Sequence, residues 1–213
     1  MTTEDFIVFI VDDDAPMREA LSELLESLGW RAVAFGSACE YMSYSRPDLP
    51  ACLILDVKLP DINGLEFQKL IADGGHPPIV FLTGYGDIPS SVSAIKRGAV
   101  DFLTKPFTEG GLLAAIQSAI DRDRVARQER EELEILRQRL ASLTPREREV
   151  LPLVVSGLLN KQAAAELGIR EVTLQIHRSK IMQKMAAASL ADLVRIAEKL
   201  RIPVTHSRRT GGT

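Results

Sequence analysis

The sequence predicts an open, doubly wound α/β sheet in its first part and a small all-helical domain in its last. Three observations predict this. Short apolar runs alternate with amphipathic stretches as far as residue 120, a charged segment without Pro or Gly follows over 121–139, and from Leu143 the apolar runs give way to four short helical patterns. Charge divides along the same line. Residues 1–143 carry 14 Lys and Arg against 23 Asp and Glu, or −9, whereas residues 144–213 carry 12 against 6, or +6. The net −3 is therefore two opposed halves, and such asymmetry predicts two parts with different partners.

Each element follows from local pattern. The runs 6–11, 31–35, 52–55, 79–82 and 99–103 are apolar, short and bounded by Gly, Pro or Asp, as strands buried on both faces should be. Between them, 16–28 places Met17, Ala20, Leu21, Leu24, Leu25 and Leu28 at helical spacing before Gly29, and similar stripes occur at 38–45, 64–72, 89–97 and 109–120. Leu133, Leu136 and Leu140 in the charged segment predict that the fifth helix runs on as an exposed spacer, with too few heptads for a coiled coil. Thr144, Pro145 and Glu147 form a capping box, and three more helices follow at 161–167, about 171–185 and 189–200. The Gly168 turn between the second and third reads as helix-turn-helix. The expected domains are 1–120, a helical linker 121–142, a DNA-binding domain 143–205 and a frayed tail 206–213.

Composition narrows the class. With 46% hydrophobic and 26% charged residues the chain is neither disordered nor fibrous. Cys39 and Cys52 are too few for a disulfide framework or a four-cysteine zinc site, and the run 6–11 is too short to span a bilayer. A cytoplasmic protein without a membrane segment is expected.

In a doubly wound sheet, ligands bind at the carboxyl ends of the strands. There the sequence places Asp12, Asp13 and Asp14 after the first strand, Asp56 after the third, Thr83 and Gly84 after the fourth, and Lys105 and Pro106 after the fifth. Converging carboxylates repel unless a cation holds them, and all-oxygen ligation without His or Cys favours Mg²⁺. A carboxylate beside such a cation can attack a phosphoryl group, and Lys105 and Thr83 can bond the transferred oxygens. Any one Asp after a strand is usually a turn residue or a cap. Four strand ends with compatible chemistry point to a site.

The strings FIVDDDAP, LILDVKLPDINGLE, IVFLTGYGDI and GAVDFLTKPF, in this order over about 120 residues, resemble the receiver domain of bacterial two-component response regulators. The resemblance implies a flavodoxin-like sheet of order 2-1-3-4-5, with Asp56 as phosphoacceptor. It also implies Mg²⁺ (or Mn²⁺) held by Asp12, Asp13, Asp56 and the main-chain carbonyl of Lys58. Thr83 is then the switch hydroxyl, Lys105 the phosphate-contacting lysine, Phe102 the aromatic switch and Lys105–Pro106 a cis peptide, while Asp14 belongs to the approach to the first helix. A sensor histidine kinase is the implied phosphodonor. Phosphorylation would remodel the face at about 88–107 and favour a homodimer.

On the third helix of the last domain, Leu174, His177, Ile181 and Met185 share one inward stripe. Gln175, Ile176, Ser179, Lys180 and Gln183 fall on the other side with Arg178 at the margin, and an exposed Ile among polar residues suits a thymine methyl. LTPREREVL, NKQAA with LGI, and VTLQIHRSKIMQKM resemble the LuxR-type DNA-binding domain of the NarL/FixJ regulators. The chain departs from that pattern at Gln175, where Lys is frequent, and at Ala163. The implied DNA-contacting residues are Lys161, Thr173, Gln175, Ile176, Arg178, Ser179, Lys180 and Lys184, and the implied partners are a promoter with two half-sites and RNA polymerase. The expected function is a phosphorylation-dependent transcriptional regulator, an activator by hypothesis. Two competing readings are a Mg²⁺-dependent phosphohydrolase with an aspartyl nucleophile, and a regulator whose basic domain binds only protein.

Overall fold

The computed structural model describes residues 6–72, 75–84 and 94–203. The chain divides into two compact units, Met1–Arg127 and Gln128–Thr213. The first contains β1 (Ile7–Val11), α1 (Ala15–Ser27), β2 (Arg31–Phe35), α2 (Ala38–Ser43), β3 (Ala51–Asp56), α3 (Gly64–Ile71), β4 (Ile79–Thr83) and β5 (Asp101–Thr104). A 33-residue helix, α4 (Glu109–Ala141), begins in the first unit and ends in the second. Of the predicted helix at 89–97, residues up to 93, Pro89 among them, lie outside the described residues, and 94–96 are helical. The predicted tail 206–213 also lies outside them.

The five strands form one parallel sheet in the order β2-β1-β3-β4-β5. Alternate side chains of each strand point to opposite faces, and two separate cores result. Ile7, Phe9 and Val11 join Leu53, Leu55 and Phe81 on the face covered by α2 and α3, where Tyr41 and Phe67 are buried. Val8 and Ile10 join Ile54, Val80 and Leu82 on the other face with Leu21 and Leu25 of α1 and Leu112, Ile116 and Ile120 of α4. Each such side chain contributes about 1.5–3 kcal/mol on burial. Burial on both faces is why the strands read as continuous apolar runs.

In the first unit α4 is held by more than apolar contact. The buried Asp123 carboxylate accepts the main-chain N–H of Ala51 at 2.9 Å and the Arg127 Nε at 2.7 Å, and Arg127 also bonds Asp48. These bonds fasten the helix to the loop that enters β3.

The second unit contains the rest of α4 together with α5 (Pro145–Val155), α6 (Asn160–Glu166), α7 (Glu171–Lys184) and α8 (Leu190–Lys199). Leu136 is buried in this unit's core, and Leu140 packs against it. The second unit thus begins well before the expected boundary at 143, because these leucines of the predicted spacer are core residues.

The predicted capping box is formed: Glu147 N–H donates to Thr144 Oγ1 at 3.3 Å, and Thr144 N–H donates to Glu147 Oε2 at 2.8 Å. Glu147 is buried and also accepts Lys184 Nζ at 2.7 Å, which ties the start of α5 to the end of α7. The Lys184 ammonium and the Thr144 N–H hold its carboxyl down at about 2, below its ordinary 4.5. A depressed carboxyl contributes stability that is present above its unfolded value and lost as pH falls through its folded value. Glu147→Gln is therefore expected to lower the unfolding free energy of this unit at pH 7 by about 1–3 kcal/mol. It should also flatten the loss of stability between pH 4.5 and 2. Urea denaturation followed by circular dichroism checks both, and an unchanged acid limb in the variant would contradict the assignment.

Candidate functional site

Parallel pairing brings the strand ends to one edge. Val11 pairs with Leu55 and Asp56 with Leu82, so Asp12, the residue after β1, lies beside Asp56 at the end of β3. Thr83 pairs with Thr104, and the Lys105 N–H donates to the Thr83 carbonyl at 2.7 Å. The Lys105–Pro106 bond is cis. Lys105 Nζ donates to Asp12 Oδ2 at 2.7 Å and to Asp56 Oδ2 at 2.9 Å.

Asp12 and Asp56 are 1% and 8% exposed, so their charges lie in poorly solvated positions. Burial pulls the Lys105 ammonium towards neutrality, but its bonds to Asp12 and Asp56 outweigh this and hold its pKa above the ordinary value. The second carboxylate oxygens are also engaged: Asp12 Oδ1 accepts the Asp14 N–H at 2.9 Å, and Asp56 Oδ1 accepts the Lys58 N–H at 3.1 Å. Arg18 of α1 donates to the Asp12 carbonyl at 2.7 Å. Asp13 is exposed, and Asp12, Asp13 and Asp56 each offer an oxygen within 4.8 Å of the others. Three hard oxygen donors with no thiolate or imidazole among them fit a divalent cation such as Mg²⁺.

Two features of the site escape the sequence. At Gly64, the first residue of α3, a Cβ would stand 2.3 Å from the Asp56 carbonyl oxygen, so only glycine lets α3 start against the loop that follows Asp56. The signal is present as an Asn-Gly pair, and Asn63 caps the helix by accepting the Leu65 N–H at 2.9 Å. Arg18 is the other, hidden among the charges of α1. Phe102 is half-buried with its ring 5.7 Å from that of Phe81, and Thr83 is buried. Asp14 precedes α1 and makes no side-chain cap bond.

In the second unit, Leu174, Ile181 and Met185 of α7 and its end are buried, and His177 is half-buried. Gln175, Ile176, Ser179, Lys180 and Gln183 are exposed on α7, as is Lys161 on α6, while Thr173 is half-buried. Arg178 donates to Asn160 Oδ1 at 2.9 Å, tying α7 to α6. The Lys184 ammonium donates to Glu147 and to the Ser142 carbonyl, and its side chain is half-buried. Val172, which the sequence pattern does not single out, is 66% exposed and lies four residues before Ile176, itself 51% exposed.

An acidic pocket with a bridging lysine at the carboxyl edge of a 2-1-3-4-5 sheet, followed by a helix-turn-helix unit, defines the response-regulator class. Comparison with known proteins is consistent throughout the chain. Residues 8–117 match the response regulator receiver domain, and residues 141–197 match the bacterial regulatory proteins of the luxR family. The chain is 48% identical over 205 residues to Nodulation protein W of Bradyrhizobium diazoefficiens, covering 96% of this chain and 90% of that protein. It is 44% identical over 205 residues to the Response regulator protein TmoT of Ectopseudomonas mendocina, covering 94% and 92%. Among solved structures, the response regulator StyR superposes with a TM-score of 0.78 at 45% identity, covering 92% of this chain and 99% of that one. Full-length FixJ from B. japonicum gives 0.54 at 38% identity, covering 95% and 100%.

The chain belongs to the two-component response regulators that join a receiver to a LuxR-type DNA-binding domain. It is a DNA-binding transcriptional regulator, and the phosphohydrolase reading is not favoured. Among the described residues, no helix is long and apolar enough to cross a membrane.

The electrostatics of the pocket generate a direct expectation. Lys105→Met leaves Asp12 and Asp56 without their shared cation, and truncating one side of such a pair costs about 1–3 kcal/mol. The thermal midpoint of the receiver should fall at pH 7, and the deficit should shrink as pH rises through the raised pKa of Lys105, where the wild-type chain loses the same ammonium. Differential scanning calorimetry across pH checks this; a deficit independent of pH would contradict it.

Proposed function

We propose that this chain is a transcription factor switched by phosphorylation of Asp56 by a sensor histidine kinase. The observation that carries the reading is the Lys105 ammonium bonded to both Asp12 and Asp56 beside Asp13. An Asp56 carboxylate oxygen bonds to phosphorus as the phosphorus–nitrogen bond of a phosphohistidine breaks, and the departing imidazole nitrogen takes a proton from solvent. The product is an aspartyl phosphate, which water returns to Asp56 and inorganic phosphate. Lys105 Nζ and the Thr83 hydroxyl donate to the transferred oxygens. A divalent cation, Mg²⁺ or Mn²⁺, held by Asp12, Asp13, Asp56 and the Lys58 carbonyl, supplies further positive charge to the phosphoryl oxygens.

Phosphorylation adds roughly two negative charges and new acceptor oxygens at the end of β3. Thr83 moves towards them, and Phe102 turns into the space beside Phe81. The face at 88–107, whose residues up to 93 lie outside the described ones, then pairs two chains. Two linked DNA-binding units bind two half-sites with an effective concentration that one unit lacks. Lys161, Thr173, Gln175, Ile176, Arg178, Ser179 and Lys180 contact the promoter, Lys161 and Lys180 through phosphates and Gln175 and Ile176 through base edges. The assembled dimer recruits RNA polymerase in the cytoplasm.

Acetyl phosphate with Mg²⁺ is expected to phosphorylate and dimerise the wild-type chain and to raise its operator affinity about tenfold or more, whereas Asp56→Asn should show none of these changes. Phosphoryl incorporation and dimerisation undiminished in Asp56→Asn would refute the reading. For the DNA contacts, Lys161→Ala and Lys180→Ala should each reduce the slope of log K against log salt by about 1. Filter binding from low to moderate salt measures this, and salt-insensitive or absent operator binding would favour a protein partner for the basic unit instead.

A further inference from the structure

We infer that the DNA-binding unit carries a binding site for a small amphipathic carboxylate, separate from both the phosphoacceptor pocket and the exposed face of α7. The site is a groove of about 440 Å³ bounded by the last turns of α4, the middle of α5 and the segment Ile202–Pro203. Its apolar surface comes from Leu140, Leu151, Pro152 and Ile202, and two exposed arginines, Arg137 and Arg148, line it as well. Apolar walls with a few placed polar groups in this size range are what small-ligand sites present.

The arginines set the chemistry of the occupant. An Arg148 Nη donates to the Ala141 carbonyl at 2.8 Å, which uses one of five guanidinium N–H donors and fixes the group against the end of α4. Arg137 forms a loose ion pair with Glu134 at 3.8 Å, and 63% of its side chain is exposed, so its remaining guanidinium N–H groups face the groove's mouth. Two guanidinium groups beside an apolar cleft match a ligand with one carboxylate and an aryl or alkyl body, since a carboxylate takes paired guanidinium N–H bonds. The continuation beyond Pro203 carries Arg208 and Arg209, side chains of the same sign as the groove's arginines. A ligand here touches α4 and α5 at once and so braces the end of the long helix on the helix-turn-helix core.

The test is titration of the ¹⁵N-labelled full chain with 4-phenylbutyrate, with 4-phenyl-1-butanol as neutral analogue, read by amide chemical shifts. Saturable shifts are expected at Ala141, Leu151 and Ile202, with affinity reduced about tenfold for the alcohol and for the Arg137→Gln/Arg148→Gln variant. If that double variant does not fold, the comparison of acid with alcohol on the wild-type chain decides. No saturable shift at the groove, or equal affinity for acid and alcohol, would overturn the proposal. So would shifts that appear only after removal of residues 204–213, because the chain itself would then be the occupant.

Discussion

The carboxylates of Asp12, Asp13 and Asp56 stand close enough to repel one another, and the Lys105 ammonium is the internal charge that offsets this. Much of the first unit can be understood as the means of meeting that constraint. The sheet must be parallel for β1, β3 and β5 to end at one edge, and it must be buried on both faces for that edge to be rigid. The register that sets Val11 against Leu55 puts the residues that follow side by side. Gly64 is required because α3 starts against the backbone of Asp56. A pocket in which a cation already bridges two carboxylates is poised to respond when a phosphoryl group brings new negative charge.

The same rule, a buried carboxylate matched by a nearby cation and main-chain N–H donors, appears twice more. Asp123 takes Arg127 and the Ala51 N–H, and Glu147 takes Lys184 and the Thr144 N–H. The first pairing secures α4 to the loop before β3, and the second secures α5 to the end of α7. Removing either partner of such a pair costs more than the pair's net contribution, because the remaining charge stays buried. These bonds also account for where α4 divides: through Arg127 it belongs to the receiver's contacts, and from Leu136 onward its leucines belong to the other core.

The strands were legible because short apolar runs bounded by Gly, Pro and Asp, five times over and alternating with amphipathic stretches, fit little besides buried parallel strands. The acidic residues could be placed because parallel strands share a carboxyl edge. The capping box of Thr144 and Glu147 was legible because its two bonds span only three residues. What escaped depends on partners distant in sequence. The bond from Lys184 to Glu147 joins residues 37 apart, and nothing in the local pattern of either announces it. Asp123 looks like one charge in a solvated spacer until Ala51, 72 residues away, is found to need an acceptor. Leu136 and Leu140 read as exposed because their neighbours are charged, yet their own side of the helix meets a core. Val172 is the opposite case, apolar in type and exposed in place.

Asp56 is the proposed phosphoacceptor among the three clustered carboxylates. Borohydride reduction after incubation with acetyl phosphate and Mg²⁺ converts an aspartyl phosphate to homoserine, and peptide mass spectrometry then locates it. Conversion is expected at position 56 alone. Homoserine at position 12 or 13, or phosphate retained on a histidine with position 56 unchanged, would contradict it.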